Sequence, residues 1–433
     1  MSGGVDSSVA AALLLRDGYE VVGCFMRLGS PGETFDELVG DDACARPAAD
    51  DRHSRAGGNP VRAARTGSPP DARLRGNDDD RGLPDPVASG DGACAARRDA
   101  PLPHGRGSSD RPPIRIGHQG CCSINDAADA RLVAAKLGVH FYVVNFKKDF
   151  GRIIDYFVGE YNAGRTPNPC VRCNDWLKFG RLHEYAKQID ADFVASGHYA
   201  RIEREGSAAP RLLRGIDRDK DQSYVLFGAP RARLREMLLP IGGYRKSEIR
   251  QLARDLDLPV FDKPDSQEIC FVPDNDYAGL VRRRTPGAVR VGAILDPQGR
   301  TIGEHAGHQH FTIGQRRGVG VALGYPIYVV DRDPQANTIT VGPREMLLAA
   351  GCTARECNWL VDAPAVGEWT RCEAKIRYNS DPAPAQVRRI DDDAIEVRFD
   401  EPQFAVAPGQ AVVCYDAIEP EVVMGGGWID AAK

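Results

Sequence analysis

The stretch Ser2-Gly-Gly-Val-Asp-Ser-Ser8, followed directly by the apolar run Val9-Ala-Ala-Ala-Leu-Leu-Leu15, decides the fold of this chain. Glycines let the backbone curl so that several N–H groups point at one anion, and a helix N-terminus adds the positive end of its dipole. The stretch therefore predicts a phosphate-binding loop that leads into a helix; the alternative is a plain glycine turn. It contains no Gly-Lys-Ser/Thr, so it differs from the usual nucleoside-triphosphate loop.

The chain after residue 117 alternates between helix and strand patterns. Ile124 to Leu137 is amphipathic and predicts a helix, and His140-Phe-Tyr-Val-Val-Asn-Phe146 predicts a strand. Helices over residues 150–161 and 176–188 and the strand Asp192-Phe-Val-Ala-Ser196 continue the series. This alternation predicts an α/β domain with a doubly wound parallel sheet, whose ligands bind at the carboxyl ends of the strands.

A strand normally leads into a phosphate loop of this kind, but the sequence begins at the loop. We expect that this strand is missing, because of either a misassigned start codon or a truncation. The strand expected after the first helix is Tyr19-Glu-Val-Val-Gly-Cys-Phe-Met26.

Three domains are expected, with boundaries drawn where the pattern changes. Residues 1–229 form the phosphate-loop domain, and 230–288 form a small, mainly helical central domain with its clearest helix at Lys246 to Leu256. Residues 289–433 show short alternating strands with Gly and Pro turns, which predict a C-terminal β domain of one small barrel or two. Residues 43–117 lack Phe, Tyr, Trp, Lys and Glu, so we expect a disordered insertion there.

The composition is that of an ordinary globular protein, with 42% hydrophobic and 27% charged residues in a chain of 433. No apolar run approaches the roughly 18 residues of a membrane span, and no secretory signal is recognised, so a cytoplasmic protein without membrane contact is expected. Twelve cysteines in such a protein are expected to be reduced thiols, some reactive. The net charge of −5 excludes a global basic footprint, so any nucleic-acid contact must rest on local patches.

Two cysteine motifs stand apart from the rest: Thr166-Pro-Asn-Pro-Cys-Val-Arg-Cys-Asn174 and Asp265-Ser-Gln-Glu-Ile-Cys-Phe271. Prolines fix the first as an exposed loop, and Arg172 with a following helix would favour the thiolate of Cys173. The alternative is half of a zinc site, for which the adjacent pair Cys121-Cys122 is a poor second half. The other cysteines expected to be small buried hydrophobic residues are Cys24, Cys352, Cys357, Cys372 and Cys414.

An ordered set of motifs resembles the tRNA-specific 2-thiouridylase family of the PP-loop ATP pyrophosphatase superfamily. The motifs are Ser2-Gly-Gly-Val-Asp-Ser-Ser8, Cys121-Cys-Ser123, Arg165-Thr-Pro-Asn-Pro169, Cys173-Asn174, Gly197-His-Tyr199, Lys220-Asp-Gln-Ser-Tyr224, Ser266-Gln-Glu-Ile-Cys-Phe271 and Gly314-Gln-Arg316. The resemblance covers nearly the whole chain except residues 43–117 and the strand expected before the loop.

The resemblance implies an ATP-dependent enzyme that adenylates O2 of the wobble uridine (position 34) and then transfers persulfide sulfur to C2. Cys270 matches the persulfide carrier, and Cys173 matches the partner thiol and nucleophile, which implies a Cys173–Cys270 disulfide as an end state. Cys170 departs from the family's usual Asp. Three thiolates at Cys170, Cys173 and Cys270 could also hold an iron–sulfur cluster, and the spacing does not decide this alternative.

The resemblance also assigns binding residues. Those matching the ATP site are Ser2, Gly3, Gly4, Val5, Asp6, Ser7, Ser8, Met26 and Gly197, with Asp6 as the residue that would help to hold Mg²⁺. Those matching the segment that receives the flipped target base are Asn168, Pro169 and Cys170. Those matching tRNA contacts are His198, Lys220, Asp221, Gln222, Arg377, Tyr378 and Gln410. His198 could equally be a core histidine.

The implied partners are tRNAs with wobble uridine for Lys, Glu and Gln, and a persulfide donor protein, either a cysteine desulfurase or a sulfur-relay protein. Two other functions remain open. Another PP-loop ATP-dependent ligase would not need Cys173 and Cys270. A non-catalytic RNA-binding remnant of the family would follow from the missing first strand, whose absence would leave unpaired sheet edges.

Overall fold

The computed structural model describes residues 1–29, 124–204, 206, 208–265, 269–272 and 276–433 of the chain. The insertion expected at residues 43–117, the pair Cys121-Cys122 and the motif residues 266–268 therefore lie outside the described residues. Among the residues described, no helix has both the length and the hydropathy that crossing a membrane requires.

Helix α1 (Val5–Arg16) begins directly at the predicted phosphate loop. Gly4 is its N-cap in an extended conformation, and Gly3 has a φ of +72°, which glycine adopts without strain. The apolar face of the helix is buried, with Val9 and Leu13 in a cluster that also contains Ile249. The loop is thus fixed between glycine geometry on one side and a buried helix on the other.

The strands around α1 form two parallel pairs. Strand β1 (Val22–Arg27) pairs with β2 (His140–Asn145) in parallel, and β3 (Val194–Ala195) pairs in parallel with β6 (Met237–Leu238). In the described residues these pairs are separate two-stranded sheets. The expected α/β class with parallel strands is confirmed, whereas β6 lies in a region expected to be mainly helical.

One predicted helix, over residues 176–188, is part of a longer helical stretch with a π-helical centre. The stretch consists of α4 (Pro169–Arg172), a π-helix (Cys173–Arg181) and α5 (Leu182–Gln188). A π-helix leaves carbonyl groups off the usual ladder, and Arg233 donates to the carbonyl oxygens of Phe179 and Gly180. A Cβ on Gly180 would lie 2.8 Å from the Asp175 carbonyl oxygen, so the wide turn needs glycine there.

The C-terminal part of the chain is all β, as expected. Four strands form one sheet in the order β8-β7-β10-β9, and six form a closed barrel in the order β11-β14-β13-β12-β15-β16. The barrel interior is filled by alternating apolar residues such as Val387, Val397 and Val412. Closure leaves no exposed sheet edge in the barrel.

The remaining elements of the phosphate-loop domain and the segment after it are α2 (Ile124–Leu137), α3 (Lys147–Asn162), β4 (Ala200–Glu203), β5 (Arg211–Arg214), α6 (Lys246–Asp255) and α7 (Tyr277–Arg284). Short 3₁₀ turns are found at Arg218–Lys220, Ser223–Leu226, Arg231–Glu236, His308–His310 and Arg344–Leu347. The remaining strands are β7 (Gly292–Leu295), β8 (Thr301–His305), β9 (Tyr328–Asp333), β10 (Thr338–Gly342), β11 (Leu348–Trp359), β12 (Trp369–Lys375), β13 (Ala383–Arg389), β14 (Ile395–Phe404), β15 (Ala411–Asp416) and β16 (Val423–Ala432).

Candidate active site

The phosphate loop is held in shape by its own serines. The Ser2 backbone N–H donates to Ser7 Oγ at 3.0 Å, and Ser8 Oγ donates to the Gly4 carbonyl oxygen at 2.8 Å. Gly3 has no room for a side chain, because a Cβ there would lie 2.2 Å from the Asp126 carbonyl oxygen. These contacts leave the loop at the positive end of α1, where an anion is stabilised.

Gly197 lies directly against this loop. A Cβ on Gly197 would lie 2.8 Å from the carbonyl carbon of Asp6 and the backbone nitrogen of Ser7. The structure therefore brings Gly197 to the loop, as its assignment to the same site requires. Met26 lies at the end of β1, partly buried beside a hydrophobic cluster that contains Leu28 and Phe150.

A network of charges surrounds Asp6, the acidic residue of the loop. Lys246 Nζ lies 2.8 Å from both Asp6 oxygens and also 2.8 Å from Asp265 Oδ1. The Tyr199 hydroxyl donates to Asp6 Oδ1 at 2.7 Å, and burial together with the Asp6 charge raises the pKa of Tyr199 strongly. Asp6 is thus bound by one ammonium and one hydroxyl group.

Asp265, five residues before Cys270, collects three cations. Besides Lys246, it contacts Lys220 Nζ at 3.1 Å and Arg250 Nη2 at 2.8 Å. Burial opposes its charged form, but Lys246 and Lys220 outweigh burial and lower the pKa of Asp265. The motif that contains Cys270 is therefore linked to the predicted phosphate loop through one shared lysine, Lys246.

A second lysine, Lys263, connects the loop backbone to helix α2. Its Nζ donates to the Gly3 carbonyl oxygen at 2.9 Å and to Asp126 and Asp129 at 2.6 Å each. Sequence reasoning missed both Lys246 and Lys263, because their partners Asp6 and Asp126 lie more than 130 residues away in the chain. The only local signal is that Lys263 stands just before the Asp265 motif.

The segment Lys220-Asp221-Gln222, which the resemblance assigns to tRNA contact, contacts Asp265 and Tyr199. Asp221 is buried and accepts hydrogen bonds from the backbone of Gly215 and from Ser223. Gln222 Oε1 accepts from the Tyr199 backbone N–H at 2.9 Å, and Gln222 N–H donates back to the Tyr199 carbonyl oxygen. Asp221 and Gln222 therefore hold the turn that positions Tyr199.

His198 is a buried histidine, only 7% exposed. Its Nδ1 lies 2.7 Å from Ser196 Oγ, and Lys178 Nζ lies 3.5 Å from its Nε2. Burial, and secondarily Lys178, lowers the pKa of His198 well below its usual value, so the ring is neutral at pH 7. Its assignment to tRNA contact stays a prediction.

The two cysteine motifs meet at one hydrophobic cluster. Cys173 and Cys270 are both partly buried against a core that includes Phe157 and Leu177. The disulfide between them, which the resemblance implies, stays a prediction. Two cysteines that are 97 residues apart in the chain thus pack against the same hydrophobic cluster.

Cys170 lies on the exposed side of this arrangement, in the first turn after Asn168. Asn168 caps α4 by accepting from the Val171 backbone N–H at 3.4 Å, and Pro169 occupies the first helical position. In the described part of the chain, no group of three or more His, Cys, Asp or Glu side chains is arranged to hold a metal ion. The iron–sulfur alternative stays untested, and so does the zinc alternative, whose second half would lie at Cys121-Cys122 outside the described residues.

The loop before Cys170 is fastened to the C-terminal barrel. Gln410 Nε2 donates to the carbonyl oxygens of Thr166 and Pro167 at 3.0 and 3.1 Å. The Thr166 backbone N–H donates to the Pro408 carbonyl oxygen at 2.8 Å. A Cβ on Gly409 would lie 2.8 Å from the Thr166 carbonyl oxygen, so the two segments approach as closely as backbones can.

Arg377 and Tyr378 follow strand β12 of the barrel, and Tyr378 lies near Cys170. Tyr378 is 38% exposed, and burial of its ring and the charges of Asp221 and Cys170 raise its pKa. Arg377 donates to the carbonyl oxygens of Phe404 and Ala405. The predicted base-receiving segment therefore lies beside a partly exposed aromatic ring from the barrel.

Taken as chemistry, the site has two halves. One half presents backbone N–H groups, a carboxylate and a lysine at the predicted phosphate loop, and the other presents the side chains of Cys173 and Cys270. Thiolates are strongly nucleophilic near neutral pH, so the arrangement suits the attack of sulfur on an atom activated by a nucleotide.

Comparison with known families gives three matches along the chain. Residues 1–55 and 110–274 match the tRNA methyl transferase HUP domain, and residues 284–343 match the tRNA methyl transferase PRC-barrel domain. Residues 349–429 match the aminomethyltransferase beta-barrel domain. The expected fold class, with a phosphate-loop α/β domain and a C-terminal barrel, is confirmed.

Curated proteins from several bacteria are similar over most of the chain. One from Rhodopirellula baltica is 44% identical over 436 aligned positions, covering 100% of this chain and 95% of its own. One from Carboxydothermus hydrogenoformans is 39% identical, covering 99% and 96%. One from Geobacter metallireducens is 48% identical over 313 positions, covering 72% and 84%. All three carry the name tRNA-specific 2-thiouridylase MnmA.

Proposed function

The chain belongs to the tRNA-specific 2-thiouridylase family, and we propose that it is a tRNA sulfurtransferase that replaces the 2-oxygen of the wobble uridine with sulfur, using ATP. The observation that carries this proposal is that Lys246 contacts both Asp6 of the loop and Asp265 of the Cys270 motif, while Cys173 and Cys270 pack against one hydrophobic cluster. Neither the ligase nor the remnant alternative is favoured by any feature of that site.

The first step activates the uridine. O2 of the base attacks the α-phosphorus of ATP, pyrophosphate leaves, and an O2-adenylated uridine is formed. A carbonyl oxygen is a very poor leaving group until it is esterified in this way. Residues 2–8 and Gly197 would hold the nucleotide, with Met26 near the adenine. A Mg²⁺ ion bound with ATP near Asp6 would neutralise the departing pyrophosphate.

The second step delivers the sulfur. A persulfide on Cys270 supplies its terminal sulfur to C2 of the base, and AMP leaves with the original oxygen. Attack of the Cys173 thiolate on Cys270 Sγ releases that sulfur as the thiocarbonyl group. The sulfane sulfur is reduced to the oxidation level of sulfide, and the two cysteines are oxidised to a disulfide. An external dithiol must then reduce that disulfide before the next turnover.

The base has to leave the anticodon stack to reach these groups. Asn168, Pro169 and Cys170 would receive the flipped uridine, with Tyr378 beside them. The remaining residues assigned to tRNA contact are His198, Lys220, Asp221, Gln222, Arg377 and Gln410. For Asp221, Gln222 and Gln410, the hydrogen bonds described above support a role in positioning the site around the tRNA.

The partners follow from this chemistry. The substrates would be tRNAs with a wobble uridine that read Lys, Glu and Gln codons, and a persulfide donor protein would load Cys270. We propose that the enzyme works in the cytoplasm, where tRNA and reduced thiols occur together. An iron–sulfur cluster on Cys170, Cys173 and Cys270 is the competing arrangement, and iron analysis of anaerobically purified protein tests it.

The experiment that tests this function is tRNA-dependent exchange of radiolabelled pyrophosphate into ATP. The wild-type protein should catalyse exchange only when unmodified tRNA is present. The variant Cys173→Ser should keep the exchange but form no 2-thiouridine, because Cys173 acts after adenylation. Absence of exchange by the full chain, with folded protein and intact tRNA, would overturn the proposal.

A further inference from the structure

Lys246 occupies an unusual position between the two halves of the site. It is the first residue of α6, its side chain is only 12% exposed, and its Nζ lies 2.8 Å from both Asp6 and Asp265. Its own backbone N–H donates to Asp217 Oδ2 at 2.8 Å. The backbone is therefore fixed, and only the flexible end of the side chain contacts the two carboxylates.

Both carboxylates have other partners that do not depend on Lys246. Asp265 also contacts Lys220 at 3.1 Å and Arg250 at 2.8 Å, and Asp6 accepts from the Tyr199 hydroxyl at 2.7 Å. If the Lys246 ammonium moved away, Asp265 would still be neutralised by two cations. Lys246 can thus give up its contacts with Asp6 and Asp265 for a ligand with a small loss of free energy.

The phosphate loop itself, residues 2–8, includes neither Lys nor Arg. A polyphosphate has several negative charges, and charge-assisted hydrogen bonds from side chains are the strong ones. Two described lysines touch the loop, Lys246 at Asp6 and Lys263 at the Gly3 carbonyl oxygen. These two lysines are the candidates to donate directly to a nucleotide bound there.

Lys263 is poorly suited to this task. It bridges Asp126 and Asp129, and Asp126 is only 8% exposed, so withdrawing the ammonium would strip a nearly buried carboxylate of that contact. Lys263 also holds the loop backbone in place. Lys246, by contrast, is bound to the one loop carboxylate that would change partner when a nucleotide arrives.

We propose that Lys246 is a nucleotide-binding residue that releases Asp6 and donates to the phosphate oxygens of ATP. The inference rests on the proposed use of ATP and adds a residue that the family's motifs did not indicate. Because the same ammonium contacts Asp265, nucleotide binding would also loosen the link between the phosphate loop and the Cys270 motif. Binding of a nucleotide at the loop would thus change the contacts of the segment that contains Asp265 and Cys270.

The test compares the dissociation constants of ATP and AMP, without Mg²⁺, by titration calorimetry on the full chain. In Lys246→Met the constant for ATP should rise about 10- to 100-fold, the loss expected for one charge-assisted hydrogen bond, and the constant for AMP should change much less. The control Lys136→Met, which removes an exposed ion pair with Asp257, should bind both nucleotides like the wild type.

The double variant Asp6→Asn/Lys246→Met distinguishes direct contact between Lys246 and phosphate from neutralisation of the Asp6 charge by Lys246. It removes one charge of each sign, so it keeps the net charge and the side-chain sizes of the site. If Lys246 contacts phosphate, the double variant still binds ATP at least 10-fold more weakly than the wild type. If it binds ATP as the wild type does, Lys246 only neutralises Asp6 and the inference is wrong. A wild-type protein that binds no ATP would instead overturn the proposed function, and the inference with it.

Discussion

The guanidinium carbon of Arg172 lies 4.0 Å from the centre of the Trp428 ring. Arg172 stands between Cys170 and Cys173, and Trp428 belongs to the last strand of the barrel. The same guanidinium lies 4.9 Å from the ring centre of Trp176 and donates to Glu356 at 2.8 Å. This aromatic cage, formed by Trp176 and Trp428, holds the cysteine-bearing helix against the barrel. It directs the Arg172 guanidinium toward the barrel.

The first prediction concerns this cage. Replacing Arg172 with Met should lower the free energy of unfolding by about 2 kcal/mol or more, because a desolvated cation–π contact is lost. Urea unfolding measures the change. The matched control is Arg355→Met, which removes an exposed contact of 3.6 Å with Asp430 and should cost close to nothing. Equal losses in the two variants would mean that the cage contributes no stability.

The second prediction concerns the close approach of Gly197 to the loop. In Gly197→Ala, the new methyl group would lie 2.8 Å from Ser7 N and would displace the loop. We expect the dissociation constant of ATP to rise about 10-fold or more, on the order of 1–3 kcal/mol for an overpacked contact.

Gly151→Ala in α3 is the control for Gly197→Ala. A Cβ on Gly151 meets nothing within 4 Å, so alanine there should stabilise the helix by about 1 kcal/mol and leave ATP binding unchanged. Unaltered ATP binding by Gly197→Ala would show that this glycine is not part of the nucleotide site.

The third prediction concerns Asp175, two residues after Cys173. Burial, against the opposing charge of Arg172, raises the pKa of this carboxyl from 3.8 to about 6. The folded state therefore binds more protons than the unfolded state between these values, and stability falls as the pH rises from about 4 to about 6. Above pH 6 the charged, partly buried Asp175 carboxylate lowers the free energy of unfolding.

Asp175→Asn should remove this destabilising charge. We expect the variant to be about 1–3 kcal/mol more stable than the wild type at pH 8, and the difference to shrink at pH 4.5. Urea unfolding of both proteins at the two pH values measures this. A variant that is less stable at pH 8 would mean that the attraction between Asp175 and Arg172 outweighs the cost of burial.

Local patterns allowed much of the fold to be predicted. Helix α2 has the bounds that its amphipathic pattern indicates, Ile124–Leu137, and the C-terminal strands follow the expected alternation. The two-residue strand β6 is too short to leave a pattern, and the π-helix depends on Arg233, more than 50 residues further on. Both depend on tertiary contacts that periodicity does not reveal.

The candidate site divides in the same way. The loop serines, Cys173 and Cys270 belong to recognisable motifs, whereas Lys246 and its contact with Asp6 join residues 240 positions apart. The burial of His198 and Asp221 could not be predicted either. A polar residue in a short motif gives the same sequence pattern whether its side chain is exposed to solvent or hydrogen-bonded in a buried turn.

The proposed function requires that this protein places sulfur on tRNA through Cys270. Mass spectrometry of nucleosides tests this on unmodified tRNA incubated with ATP, Mg²⁺, a persulfide donor and a dithiol. We expect 2-thiouridine with the wild-type protein and none with Cys270→Ser, while tRNA-dependent pyrophosphate exchange persists in that variant. Full formation of 2-thiouridine by Cys270→Ser, or none by the wild type, would contradict it.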